Sequence, residues 1–439
     1  MPVEMPVEIP AGRRLEGTLE TPPSKSVTHR ALLLSTLSDR VVHVERPLLA
    51  EDTEHLIGAL RASGRTIERD GEALRSAPAA WAPPAGPVEI DCGASGTLLR
   101  LLLGLLSARP GRWRLVGADQ LGRRPIGPLV RALRRQGAEI DYLGARGFAP
   151  VAVRGGELAP GRARVDASRS SQFLSALILA GLGSAHGLEI EVAGLVSAPY
   201  VDLTLDWVRR FGGRVEVDGA IYRVEPGVRP PQRVVVEGDY SAAAYFAAGA
   251  ALTAGDVRLL GLAARSAQGD RRFFELLERM GARVETRSGV VRVTGPDRLE
   301  AIDVDMRDLP DQVPTLAALA PFARGVTRIR GVPHLRLKES DRLAAMAAEL
   351  ARVGAGVRER AEGLEIAGVW ADRPAPDDAV TVDSRGDHRV AMSMAVLGLR
   401  RGGVRIERPA VVRKSFPGFW DLFGRLIGET PQPEPGRAT

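Results

Sequence analysis

Apolar residues at Leu343, Met346, Ala347, Leu350 and Val353 recur at i, i+3, i+4, i+7 and i+10, which is one face of a helix. Ser340 is the expected N-cap and Gly354 the expected stop. The same figure, an amphipathic helix, a glycine and a short alternating strand, returns along the chain. It reads LRASGRTIE around Gly64, LRRQGAEID around Gly137, VRRFGGRVEV around Gly212, LERMGARVE around Gly281, LARVGAGVRE around Gly354 and, shortened, WDLFGRLIG around Gly424. The successive glycines are 73, 75, 69, 73 and 70 residues apart. A fixed period with constant local chemistry is the mark of internal repetition.

Upstream of each glycine lies a second helix pattern, richer in apolar residues and therefore more buried. These begin near Lys25, Gly96, Gln172, Tyr240, Asp311 and His388, each opening on polar or glycine residues before turning apolar, as in SSQFLSALILAGL. Val/Ile-rich strands such as VVHVERPL, RVVVEG and VVRVTG fill the intervals. The repeat reads strand-helix-strand-helix-strand-strand, so the fold class is α+β, a mixed α/β chain of six repeats suited to two domains of three. The last repeat, from Arg385, has 55 residues left including a Pro-rich tail. The strand-like first twenty or so residues are the right size to complete it. The expected domains are therefore 1–21 with 240–430 and an inserted 22–239, with 431–439 disordered.

Composition narrows the function. The chain has 439 residues with 60 basic and 54 acidic side chains, and its net charge of +6 is spread among interleaved acids without a long basic run. A nucleic-acid surface is therefore not expected, whereas a cleft for small anions is compatible. The longest apolar run, 98–106, is interrupted by Arg100, so no membrane span is expected. The opening MPVEMPVEIP lacks the basic and apolar regions of a secretory leader, and a single cysteine, Cys92, fits a reducing cytoplasm. Asparagine is absent, which fits either a hot habitat or a G+C-rich genome.

Of the 60 basic residues only Lys25, Lys338 and Lys414 are lysine. Either they are surface leftovers of a drift toward arginine, or they mark sites that need a compact ammonium on a flexible stem. Lys25 and Lys338 open helices, as do Ser26 and Arg30; Arg124 ahead of Pro125, expected at N1; Ser170, Ser171 and Gln172; Ser197 and Tyr200; Asp311; Glu339 and Arg342; Asp387 and Arg389. Cations and hydroxyls at helix N-termini bind anions, and carboxylates among them can move protons. The six histidines have no ligand spacing, so no metal and no cofactor are expected.

At these positions the chain resembles the enolpyruvyl transferases, in particular those acting on shikimate 3-phosphate. The matching blocks include PPSKSVTHRALLL, CGASGTLLRLL, RRPIGPLVRAL, SRSSQFLSALILAGL, SAPYVDLTL, DLPDQVPTLAALA, LRLKESDRLAAM, DHRVAMSMAVLGL and VVRKSFPGFWDLF, in family order from residue 20 to 425. The resemblance implies two pseudo-threefold domains, each of three βαβαββ units in an inside-out barrel-like arrangement with a cleft between. It implies transfer of the carboxyvinyl group of phosphoenolpyruvate to the 5-hydroxyl of shikimate 3-phosphate with release of phosphate, by a cytoplasmic monomer. It assigns phosphoenolpyruvate to Lys25, Gly96, Arg124, Gln172, Arg342, Arg389 and Lys414. Shikimate 3-phosphate falls to Lys25, Ser26, Arg30, Ser170, Ser171, Gln172, Ser197, Tyr200, Asp311 and Lys338. Asp311 would take the hydroxyl proton, and Glu339 or Lys25 would serve C3 of the enol.

Ala94 stands where the family usually carries asparagine and His334 where it often does, and Ala94 cannot make that side-chain hydrogen bond. The sibling enzyme acting on a UDP-amino sugar usually carries a reactive cysteine in a long loop after the second repeat's buried helix. Here Cys92 precedes that helix in a strand-like IDCG. A nucleic-acid-binding or RNA-end-processing protein is the reading from another class; salt-sensitive RNA binding would mark it.

Overall fold

The computed structural model describes residues 4–78, 86–287 and 289–429. Among them are twelve α-helices: α1 (Lys25–Ser35), α2 (Glu51–Ala62), α3 (Gly96–Ser107), α4 (Gly127–Arg135), α5 (Gln172–Gly183), α6 (Pro199–Arg210), α7 (Tyr240–Thr253), α8 (Phe273–Arg279), α9 (Val313–Leu319), α10 (Arg342–Arg352), α11 (His388–Arg401) and α12 (Phe419–Leu426). Odd-numbered helices are buried almost end to end, as in α3, where of GTLLRLLLGLLS only Thr97 is not buried. Even-numbered helices keep an apolar stripe on one face, as in α10, where Leu343, Met346 and Leu350 are buried.

The helices pack over small sheets, one sheet to a repeat. In the second repeat Val88–Asp91 runs parallel to Gly111–Val116 through the crossover helix α3. Gly111–Val116 then pairs antiparallel with Val151–Gly155, and that strand with Glu139–Tyr142. The register sets Ile90 opposite Leu115, Trp113 opposite Val153 and Val153 opposite Ile140. All of them are buried, so one sheet face is apolar and lies under the helices. Five four-stranded sheets share this order, and a three-stranded one stands in the sixth repeat.

The chain divides into two compact units. The split unit comprises the residues up to Pro22 and from Glu237 onward, with repeats four to six; the continuous unit is Pro23–Val236, with repeats one to three. Repeats one and four begin where the chain passes from one unit to the other, so the strand directly ahead of each stays in the unit the chain is leaving. Each borrows one: Arg233–Val235 pairs with Val42–Glu45, and Gly17–Glu20 with Asp256–Leu260. The opening segment, expected to complete the sixth repeat alone, is thus shared. Only Val7–Glu8 joins that repeat, antiparallel to Val404–Glu407.

Three local expectations are corrected. Gly64, Gly137, Gly212, Gly281 and Gly354 adopt φ between +67° and +105°, the left-handed conformation that ends a helix on glycine. Gly424, by contrast, lies inside α12, and the sixth stop is Gly428 at φ +75°. Asp341, not Ser340, caps α10 by accepting from the Ala344 N–H at 3.0 Å. Arg124–Pro125 does not open a helix: α4 starts at Gly127 with Pro128 in its first turn, and Arg124 closes a 3-10 turn at Leu121–Arg123. The stretch 431–439, expected to be disordered, lies outside the described residues.

Candidate active site

Within the continuous unit the first turns of α1, α3 and α5 meet the loops before α4 and α6. Lys25, first residue of α1, gives Nζ to Asp52 Oδ2 at 2.8 Å. One turn on, buried Arg30 donates through Nε to Thr204 Oγ1, through Nη1 to the Ser26 carbonyl and through Nη2 to the Tyr200 carbonyl, each at 2.9 Å. Burial lowers its pKa to about 10, an effect that Tyr200 only partly offsets. Thr204 passes the chain of hydrogen bonds to Ser175 of α5 at 2.9 Å. Ser197 precedes α6 at φ +53°, a conformation costly for a non-glycine residue, and its carbonyl accepts from the Tyr200 N–H at 3.1 Å.

Arg100, the charge that interrupts the apolar run of α3, ties the rest of this cluster together. It reaches Gln172 Oε1 at 2.8 Å, Ser170 Oγ at 3.4 Å and the Pro125 carbonyl at 2.9 Å. Gln172 Nε2 in turn donates to Thr97 Oγ1 at 2.9 Å, and Ser171 is buried beside it. Gly96 is where the Arg124 guanidinium packs against backbone. A Cβ there would stand 2.4 Å from Arg124 Cζ, closer than real Cβ contacts come.

In the split unit the first turns of α9, α10 and α11 carry a network of opposite charges around Arg342, which is 1% exposed. Its Nε donates to Asp387 Oδ2 at 2.7 Å, Nη1 to Asp311 Oδ1 at 2.8 Å and Nη2 to Glu339 Oε2 at 2.6 Å. Burial would lower its pKa, but Asp387, Glu339 and Asp311 outweigh that and raise it. Arg389 Nη2 holds the second Asp311 oxygen at 2.8 Å, and Lys414 Nζ stands 3.7 Å from Glu339 Oε1. Burial acts to raise the Asp311 pKa, yet Arg389, Lys338 and Arg342 hold it well below the usual carboxylate range. Burial first and Lys338 second hold His334 down at about 4.

The two clusters gather the residues singled out from sequence: Lys25, Ser26, Arg30, Gly96, Arg124, Ser170, Ser171, Gln172, Ser197 and Tyr200 in the continuous unit, and Asp311, Lys338, Glu339, Arg342, Arg389 and Lys414 in the split unit. The sequence pattern gave no role to Arg100, and it marked Asp387 only as one of the acids that open helices, not as a partner of Arg342. A charge inside an apolar helix signalled the first. The second reads as an ordinary cap, and it does cap α11, accepting from the Arg389 N–H at 3.0 Å, but it also anchors Arg342 and accepts from Ser340 Oγ at 3.2 Å. Tyr245, whose hydroxyl meets Arg389 Nη1 at 3.4 Å, left no signal. Among the described residues no helix is long and apolar enough to cross a membrane, and no group of three or more His, Cys, Asp or Glu is placed to hold a metal.

The sequence profile of EPSP synthase (3-phosphoshikimate 1-carboxyvinyltransferase) matches residues 9–423. Relatives of that name in Syntrophobacter fumaroxidans and Methanoculleus marisnigri are each 43% identical, over 94% and 93% of this chain and 97% of theirs. The solved EPSP synthase from Acinetobacter baumannii superposes with a TM-score of 0.80 at 28% identity, covering 97% of this chain and 99% of that one. The chain thus belongs to the EPSP synthase family, enzymes that transfer the enolpyruvyl group of phosphoenolpyruvate to shikimate 3-phosphate in the shikimate pathway.

Proposed function

We propose that this chain carries out the transfer with the cations and hydroxyls of the continuous unit chiefly as substrate holders and the carboxylates of the split unit as proton carriers. The observation that carries the reading is Asp311, a carboxylate gripped on both oxygens by arginines in a network that also holds Glu339 and Lys414. Lys25, Gly96, Arg124, Gln172, Arg342, Arg389 and Lys414 receive phosphoenolpyruvate. Lys25, Ser26, Arg30, Ser170, Ser171, Gln172, Ser197, Tyr200, Asp311 and Lys338 receive shikimate 3-phosphate. Protonation of C3 by Glu339 or Lys25 leaves a cation-like C2 on the enolpyruvyl group. The 5-hydroxyl oxygen bonds to that carbon as Asp311 takes its proton. Loss of phosphate from C2 and of a proton from C3 restores the double bond.

Glu339 is held by Arg342 at one oxygen and faces Lys414 at the other. An arriving phosphoenolpyruvate anion competes for both cations, and that competition is what frees Glu339 to carry a proton. The UDP-amino-sugar reading lacks its reactive cysteine here. Cys92 is fully buried, and burial, then Asp91, push its thiol pKa up, away from the reactive thiolate. Monomeric, cytoplasmic action belongs to the same proposal. The test is phosphate release from phosphoenolpyruvate, dependent on shikimate 3-phosphate, with the product identified by mass. Release that also occurs with a UDP-amino sugar in its place, or none with either, contradicts it.

A further inference from the structure

Asp270 takes no part in the mechanism above, yet it is a carboxylate only 5% exposed inside the split unit. It lies on the 3-10 turn Gly269–Arg272, which is fastened to the start of α7. Gln268 Oε1 accepts from the Tyr240 N–H at 3.2 Å, and its Nε2 donates to the Gly238 carbonyl at 2.8 Å. Ser241 Oγ donates to Asp270 Oδ2. Four residues on along α7, and so on the same face, the Tyr245 hydroxyl meets Arg389 Nη1. One helix face thus holds both Asp270 and the arginine that grips Asp311 Oδ2.

The charged groups around Asp270 come from three directions. Asp239 caps α7, Asp311 precedes α9, and Arg389 opens α11; Asp311 and Asp239 repel its charge and Arg389 attracts it. On its own turn Arg271 is directed to the Ala264 carbonyl and Arg272 to Asp308, while Glu237 accepts from Ser266 and Gln268. Burial first, and Asp311 second, raise the Asp270 pKa to about 6, whereas the Ser241 hydrogen bond favours its ionised form.

We propose that Asp270, anchored by Ser241 on the Tyr245 face of α7, is a positioning residue whose negative charge competes for Arg389 and so loosens that arginine's hold on Asp311. A carboxylate clamped by two arginines is a feeble base. A second carboxylate within electrostatic range makes Asp311 more basic by repulsion and gives Arg389 an alternative partner. The proposal rests on Asp311 being the base.

The sign follows from protonation. Below pH 6 Asp270 is neutral and Asp311 weakly basic; above it Asp270 is charged and Asp311 more basic. Asp270→Asn locks in the neutral state. Substrate phosphates also titrate near pH 6, so the informative quantity is the ratio of unaltered to variant kcat on the same substrates. That ratio should be about tenfold at pH 8 and approach unity near pH 5, with both KM values within roughly twofold. Ser241→Ala, which withdraws a hydrogen bond from the charged form, should depress kcat most near pH 6–7 and recover at higher pH.

Because the folded-state pKa of Asp270 lies above its unfolded value, its contribution to stability is present at acid pH and lost as pH rises through 6. Asp270→Asn should therefore raise the urea midpoint at pH 8, whereas a purely structural residue would lower it. A kcat ratio that is flat with pH in both variants, or a lower midpoint at pH 8, overturns the proposal. Asp311→Asn separates the two readings. If it turns over normally, the assignment of Asp311 as base fails. If it is inactive while the Asp270→Asn ratio stays flat, the Asp270 inference alone fails.

Discussion

Arg30 and Arg342 are both buried arginines, 3% and 1% exposed, at helices that open onto the two clusters. In Arg30, whose N–H groups go to a hydroxyl and two carbonyls, burial wins and the guanidinium holds its proton less tightly. In Arg342, whose N–H groups go to three carboxylates, the carboxylates win and the proton is held more tightly. A buried cation among neutral oxygens is stabilised by an incoming anion, which is what a phosphate-binding residue requires. A buried cation already surrounded by carboxylates instead fixes those carboxylates in place for proton chemistry. On the proposed assignment the continuous unit mainly holds anions, while the split unit places the acids alongside the cations that share phosphoenolpyruvate.

The largest effect is expected at Arg342. Arg342→Ala leaves Asp311, Glu339 and Asp387 buried without their shared counter-ion, and about 3–5 kcal/mol of stability should go with it. Arg30→Ala removes hydrogen bonds to neutral groups and should cost only about 1–2 kcal/mol while weakening shikimate 3-phosphate binding more than tenfold. Urea unfolding of both variants, with calorimetric titration of shikimate 3-phosphate into Arg30→Ala, checks the contrast; equal stability losses would erase it.

Next in size are the lysines. Lys25 and Lys414 meet carboxylates in the two clusters, and Lys338 acts electrostatically on Asp311. Lys25→Arg, Lys338→Arg and Lys414→Arg should each lower kcat/KM at least about tenfold, roughly 1.4 kcal/mol of transition-state binding, with unchanged unfolding midpoints. Steady-state kinetics at the unaltered level in all three would make them leftovers of compositional drift.

Smaller again is Gly96→Ala. Its new methyl group must push the Arg124 guanidinium aside, and the end of a flexible side chain can yield. The KM for phosphoenolpyruvate should rise several-fold, about 1 kcal/mol, with kcat within roughly twofold. A change in kcat alone would place Arg124 in the chemistry rather than in binding. The smallest expected effect is none: thiol alkylation at pH 8 should leave activity unchanged, because Cys92 is buried and its thiol is held protonated.

Much of this was readable in the chain because the repeat writes the same local chemistry six times. Glycine stops and polar openings locate helix ends, and helix ends locate Lys25, Gln172 and Arg389. Position along the chain failed where the partner was distant. Nothing local distinguishes Asp387 the cap from Asp387 the anchor of Arg342, 45 residues away in sequence. Proline misled at Arg124, since Pro125 and Pro128 both suit a first turn and only packing decides between them. The borrowed strand Gly17–Glu20 was assigned to the wrong repeat for a similar reason: an edge strand carries no mark of the sheet it will join.

The proposed role of Asp311 as the base in this transfer can be isolated by one substitution. Asp311→Asn keeps the shape of the carboxylate and abolishes its basicity. Shikimate 3-phosphate binding by calorimetry, paired with phosphate release from phosphoenolpyruvate, tests it directly. Binding should stay within about tenfold of the unaltered enzyme, with release slowed by about a hundredfold or more. Phosphate release at the unaltered rate, or lost binding with kcat preserved, would contradict it.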